Sequence, residues 1–159
     1  MKRAFYILLF TFCLFASAWA DDTRYATQSV LNTGKWVKIR VKEDGIYKLT
    51  AAELKKMGFS DLSKVAVYGY GGWLLDEDFS SPYIDDLPEV AAWRGDDYLL
   101  FYGKGTRKWK YSFTSNRFEH VNNPYSNAGY YFVTEKETAG RSMERVAPVE
   151  GAILQVTTF

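Results

Sequence analysis

Apolar and polar residues alternate through Trp36-Val37-Lys38-Ile39-Arg40-Val41, with Val37, Ile39 and Val41 on one face and Lys38 and Arg40 on the other. That period of two is the mark of a half-buried β-strand. Glu43-Asp44-Gly45 reads as a turn, and Ile46-Tyr47-Lys48-Leu49 as a returning strand. A two-residue Asp-Gly turn would set Lys48 opposite Val41 and mix the two faces. A three-residue loop with Gly45 in the left-handed conformation instead pairs Val41 with Tyr47 and Ile39 with Leu49, and is the expected register.

The period then changes. Thr50-Ala51-Ala52-Glu53 is a capping box, and Leu54 and Met57 share one face of a short helix that Gly58 can end. Val65–Tyr70 is a buried strand closing on Gly71-Gly72, and Trp73 to Trp93 a long acidic connection with little periodicity. Tyr98–Tyr102 is a strand ended by Gly103-Lys104-Gly105. Shorter strands are expected at Lys108–Phe113 and Phe118–Val121, joined by the turn Thr114-Ser115-Asn116-Arg117, and at Tyr130–Thr134 and Ala152–Thr158. Short strands punctuated by Gly and Asn turns predict a mainly β fold, an antiparallel sandwich or barrel-like domain with one short α-helix.

The first 20 residues follow a different pattern. Lys2 and Arg3 precede the apolar run Ala4–Phe15, and Ala18-Trp19-Ala20 offers small residues at the −3 and −1 positions of a signal peptidase site. The expected organisation is a signal peptide over 1–20 and a single β-rich domain over 21–159. The apolar run is too short to span a bilayer, so no membrane span is expected after cleavage. Cys13 is the only cysteine and falls inside the leader, which leaves the mature chain without a disulfide, a thiolate ligand or a thiol nucleophile. Loss of Lys2 and Arg3 takes Lys+Arg from 20 to 18 against 19 acidic residues, a net charge of −1. That balance gives no reason to expect a nucleic-acid partner. At the other end, Ala152–Phe159 is apolar with no turn signal after it, and reads as a strand cut short of a following domain.

Each candidate chemistry has a plainer reading beside it. Gly103-Lys104-Gly105-Thr106 lacks the leading glycine of a phosphate loop and precedes a strand, so it reads as a strand-ending turn. Asp76, Glu77, Asp78, Asp85, Asp86, Asp96 and Asp97 could offer oxygen ligands to calcium or a glycosidase pair, but no spacing follows an EF-hand loop and the default is solvated loop acids. His120 is the only histidine, with no Gly-x-Ser-x-Gly signature in the chain. Trp73, Tyr83, Trp93, Trp109, Tyr111, Tyr125, Tyr130 and Tyr131 could form a sugar-stacking platform, against core and inter-domain contact as the favoured role. No catalytic, cofactor-binding or metal-ligating residue is assigned, and no cofactor.

An ordered set of segments carries a family resemblance. It runs through Lys35–Ile39, Asp44–Leu49, Val67–Gly72, Asp85–Glu89, Asp97–Gly103 and Asn123–Ser126. The set, from about Ser29 to the end, resembles the N-terminal region of the PorU family of gingipain-like sortases of the Bacteroidota type IX secretion system. The resemblance implies a prodomain-like β domain placed before a caspase-like cysteine peptidase domain that carries the catalytic Cys and His. The sequence stops at Phe159 before any such domain, so no family catalytic residue transfers to a position here. The expected function is a non-catalytic accessory module that packs on a gingipain-like peptidase domain. The partner would lie in cis if the gene continues, or be another outer-membrane secretion component. The expected compartment is the periplasm or outer cell surface of a Gram-negative bacterium. The alternatives are a glycan-binding β-sandwich and a free prodomain-like inhibitor.

Overall fold

The computed structural model describes residues 25–75, 78 and 84–147. The leader, Cys13, Tyr83, Asp76, Glu77 and the expected strand Ala152–Thr158 lie outside them. Nine strands and one α-helix follow in the order β1 (Val37–Val41), β2 (Gly45–Thr50), α1 (Ala51–Met57), β3 (Val65–Tyr68), β4 (Glu89–Val90), β5 (Ala92–Arg94), β6 (Tyr98–Gly103), β7 (Arg107–Ser112), β8 (Arg117–Asn122) and β9 (Gly129–Glu135), after a 3₁₀ turn at Val30–Asn32. The strands form a sheet of order β1-β9-β3-β4, a sheet of order β2-β6-β5 and a separate β7-β8 pair, all antiparallel. The architecture is the sandwich form of the expected mainly β fold.

The two larger sheets face each other across one core. Val41, Val65, Val67, Tyr131 and Val133 come from the first sheet, and Leu49, Ala92, Leu99 and Phe101 from the second. Phe101 reaches across to Tyr131 with ring centroids 5.3 Å apart and stacks on Tyr47 at 5.7 Å. Leu54 of α1 is buried against this cluster and Met57 packs at its margin. The helix is built as the sequence predicts. Thr50 and Glu53 cap each other reciprocally, and Gly58 closes the helix at φ 84°, a conformation glycine adopts without a Cβ penalty.

The expected hairpin is not there. Val41 lies opposite Gly129, Ile39 opposite Tyr131, and Leu49 opposite Leu99. β1 and β2 belong to different sheets, and Gly45 is not among the positive-φ residues. The alternation of both strands is intact, with Val37, Ile39, Val41, Tyr47 and Leu49 all turned to the core. Their apolar faces meet across the sandwich instead of lying side by side in one sheet. Lys42–Asp44 is therefore a corner where the chain changes sheet. Tyr47 Oη donates to Glu43 O at 2.9 Å, and Asp44 Oδ1 accepts from Gly105 N at 2.7 Å, which fix that corner.

A second corner lies in the segment read from the sequence as a long connection with little periodicity. β4 and β5 are separated by Ala91 alone, yet β4 pairs with β3 and β5 with β6. Arg94 clamps this side: its guanidinium donates to Val65 O at 2.7 Å, Arg141 O at 3.1 Å and Ser142 Oγ at 3.0 Å. Glu89 accepts from Lys136 Nζ at 2.8 Å and from Arg141 N at 2.7 Å. Burial opposes ionisation of Glu89, but Lys136, the Arg141 amide and Tyr68 together outweigh it and hold the carboxyl below the usual range. The hydrogen bond to Glu89 raises the Lys136 ammonium in return.

Candidate functional site

The glycine clusters explain how the β7-β8 hairpin is mounted. A Cβ on Gly105 would lie 2.6 Å from Lys42 O and 2.8 Å from Glu43 Cα, and one on Gly72 would lie 2.7 Å from the backbone of Gly129. Four chain segments thus meet backbone to backbone, which only glycine allows. Gly72 N donates to the carbonyls of Lys104 and Gly105, and Tyr131 Oη accepts from Lys104 N at 2.9 Å. Gly103-Lys104-Gly105 is therefore a packing junction, in line with the turn reading and not with a phosphate loop. On its far side, Asn123 N donates to Thr106 O at 2.8 Å and Asn123 Nδ2 to Gly72 O at 2.9 Å, closing the base of the hairpin.

From this base β7 and β8 project as a ribbon paired only with itself. The register sets Trp109 opposite His120 and Tyr111 opposite Phe118 on one face, with Lys108, Lys110, Arg117 and Glu119 on the other. Trp109 and His120 are in ring contact at 3.7 Å, and Tyr111 meets both Phe113 and Phe118 edge-on at 5.0 and 5.3 Å. Trp109 is 65% exposed, Phe118 66% and Phe113 90%. Aromatic area on this scale left in water on a two-stranded ribbon, itself a marginal structure, is the profile of a contact surface. Residues 107–122 also carry four cationic side chains and one acidic one.

A cleft of about 390 Å³ opens where the ribbon leaves the body, between the Lys42–Asp44 corner and Thr106, Arg107, Trp109, His120 and Asn122. Arg107 Nε donates to Asn122 Oδ1 at 3.2 Å, holding both at the cleft edge. A second exposed surface lies on the outer face of β2-β6-β5, where Lys48 reaches over Tyr98 and Arg145 over Trp93 among apolar side chains. Ile46, 64% exposed, pairs across the strands with Tyr102, 43% exposed, and half-buried Leu100 sits beside exposed Trp93.

Two of the candidate acids and several of the candidate aromatics find structural places. Asp86 accepts from Ser29 Oγ, Val30 N and Leu87 N, and Asp85 from Ala26 N, so these acids tie down the entry segment. No group of three His, Cys, Asp or Glu side chains placed to hold a metal occurs among the described residues. Trp73 is half-buried under the Lys104 ammonium, 4.7 Å from its ring, whereas Trp93 is exposed. Tyr131 belongs to the core, and Tyr125 and Tyr130 lie at the surface. The sequence reading missed the cleft, because its two walls are more than 60 residues apart in the chain.

Geometry defines the class first: a β-sandwich-like domain with a projecting aromatic ribbon. Among solved structures, the chain is similar to dimeric latent PorU from Porphyromonas gingivalis. The match has 43% sequence identity and a TM-score of 0.71, covering 78% of this chain and 11% of that one. Such a likeness fits an N-terminal or other partial PorU-like domain, as the ordered segments of the sequence suggest. The chain spans about a tenth of the length of the protein it matches. No family model matches the chain, and no curated protein does.

Proposed function

We propose that the chain is a non-catalytic, prodomain-like module that packs on a gingipain-like sortase peptidase domain of the type IX secretion system and helps fold or position it. The observation that carries this reading is the PorU match, at an identity and TM-score well above a fold-only likeness, to a small part of a much larger protein. The partly exposed Ile46–Tyr102–Leu100–Trp93 strip supports it, because apolar area on a sheet face suits burial against a second domain, with Lys48 and Arg145 at its side. His120 supports the non-catalytic part: it is exposed and lies tilted against Trp109, and no hydrogen bond orients it toward a nucleophile or a carboxylate among the described residues. Export to the periplasm or outer surface is part of the same proposal, and the leader pattern and the PorU likeness support it.

The test is association in trans. The chain is expected to co-purify with the peptidase domain of a PorU-family sortase produced separately. The pair Ile46→Lys and Tyr102→Lys, both at exposed positions, should abolish that association while leaving circular dichroism unchanged. A peptidase domain that folds equally well with or without the chain, and never binds it, would refute the proposal. So would peptide hydrolysis by the chain alone that His120→Ala removes.

A further inference from the structure

We propose that the cleft at the base of the β7-β8 ribbon is a saccharide-binding site, in which a neutral sugar ring stacks on Trp109. The ring is held in place by its cross-strand contact with His120, 3.7 Å between centroids, yet 65% of the residue is open to solvent. A fixed, exposed indole face suits the axial C–H surface of a pyranose, which supplies apolar contact without losing the hydroxyls at its rim. Around it the cleft offers both kinds of hydrogen-bonding group. Arg107 uses only its Nε on Asn122, leaving its terminal nitrogens and the Asn122 amide nitrogen to donate. Asp44 engages Gly105 N through Oδ1, leaving Oδ2 to accept beside Glu43.

The charges decide the ligand class. Lys42 and Arg107 are balanced by Glu43 and Asp44, so the cleft has no cationic excess with which to hold a phosphate or a sulfate. Mixed donors and acceptors without net charge match vicinal hydroxyls, each of which both donates and accepts. The volume of about 390 Å³ is at the small end for a ligand pocket, and open on one side. That suits one or two rings of a longer chain. The site uses the ribbon base and the sheet corner, and not the Ile46–Tyr102 face, so it is independent of packing on a peptidase domain.

Nuclear magnetic resonance on the ¹⁵N-labelled mature chain tests it, with cellotriose, chitotriose and mannotriose as probes. Saturable shifts of the Trp109 indole N–H and of the Lys42–Asp44 and Asn122 amides are expected with at least one probe at millimolar concentration. Trp109→Ala should weaken binding roughly tenfold or more, and Trp109→Phe less. Arg107→Leu, which keeps the aromatic face, should weaken it as well and guards against a ribbon that fails to form in the first variant. No shift with any of the three sugars overturns the proposal. Shifts that survive Trp109→Ala, or a cleft that responds to inorganic phosphate or dextran sulfate and ignores the neutral sugars, overturn it equally.

Discussion

The sandwich and the ribbon use the same aromatic and β-branched residues toward opposite ends. In the sandwich, Phe101, Tyr131, Val41 and Val67 are removed from water between two sheets that each have helix, corner or neighbouring strand around them. In the ribbon, Trp109, Phe113 and Phe118 stay in water on a sheet with no second layer. Burial of a large side chain stabilises by roughly 1.5–3 kcal/mol, so the first region holds the fold together. The second contributes little to stability and is left free to meet something else. What joins them is the glycine junction, where Gly105 and Gly72 let the ribbon base approach the β1-β2 corner at backbone distance.

Substitutions on the two sides should separate accordingly. Phe101→Ala, at a position with no exposed area, should cost about 3–5 kcal/mol in denaturant unfolding. Gly105→Val comes next, at about 2–3 kcal/mol, because its Cβ would meet backbone atoms of Lys42 and Glu43 that cannot swing away. Its amide exchange should speed up through 107–122 more than in the sandwich, and uniform acceleration would break the distinction between the regions.

The Glu89–Lys136 pair should show as a pH dependence. The Glu89 carboxyl is held below its ordinary 4.5, so its contribution is full above that value and fades as pH falls through the lower folded value. Lys136 is raised above 10.5, so its share persists below that value and is lost only as pH rises through the higher folded one. Glu89→Gln should therefore cost about 1–2 kcal/mol at neutral pH and flatten the acid limb of a stability profile. An unchanged acid limb would remove the pair from the account.

The smallest effects belong to positions that the structure leaves open. Gly45→Ala should change stability by no more than about 0.5 kcal/mol, since its φ is ordinary and a Cβ would meet nothing within 4 Å. Phe113→Ser, at the ribbon tip, should be equally silent in unfolding. A large loss from either would mean that the ribbon or the corner carries more of the fold than its contacts suggest.

Local chemistry was legible in the sequence, and long-range pairing was not. The Thr50–Glu53 capping box and the Gly58 stop depend on residues a few positions apart, and both form as expected. The alternation of β1 and β2 correctly marks which side chains face the core. It does not say which strand is the neighbour, because facing strands in two sheets and paired strands in one satisfy the same pattern. Val41 found Gly129 and Leu49 found Leu99 across more than 45 residues, and turn chemistry at Gly45 could not reveal that. β4 and β5 escaped notice because strands of two and three residues carry no period. The Trp109 cleft combined both difficulties, an exposed aromatic on a readable strand with its polar partners on a distant corner.

The most direct test of the proposal that this PorU-like domain packs on a peptidase domain through its Ile46–Trp93 sheet face is differential hydrogen exchange. The isolated chain and the same residues within a full-length PorU-family sortase would be compared under one set of conditions. Amides of β2 and β5, the edge strands that carry Ile46 and Trp93, are expected to gain protection in the larger protein while the α1 amides stay unchanged. Equal exchange at β2 and β5 in the two proteins would contradict it.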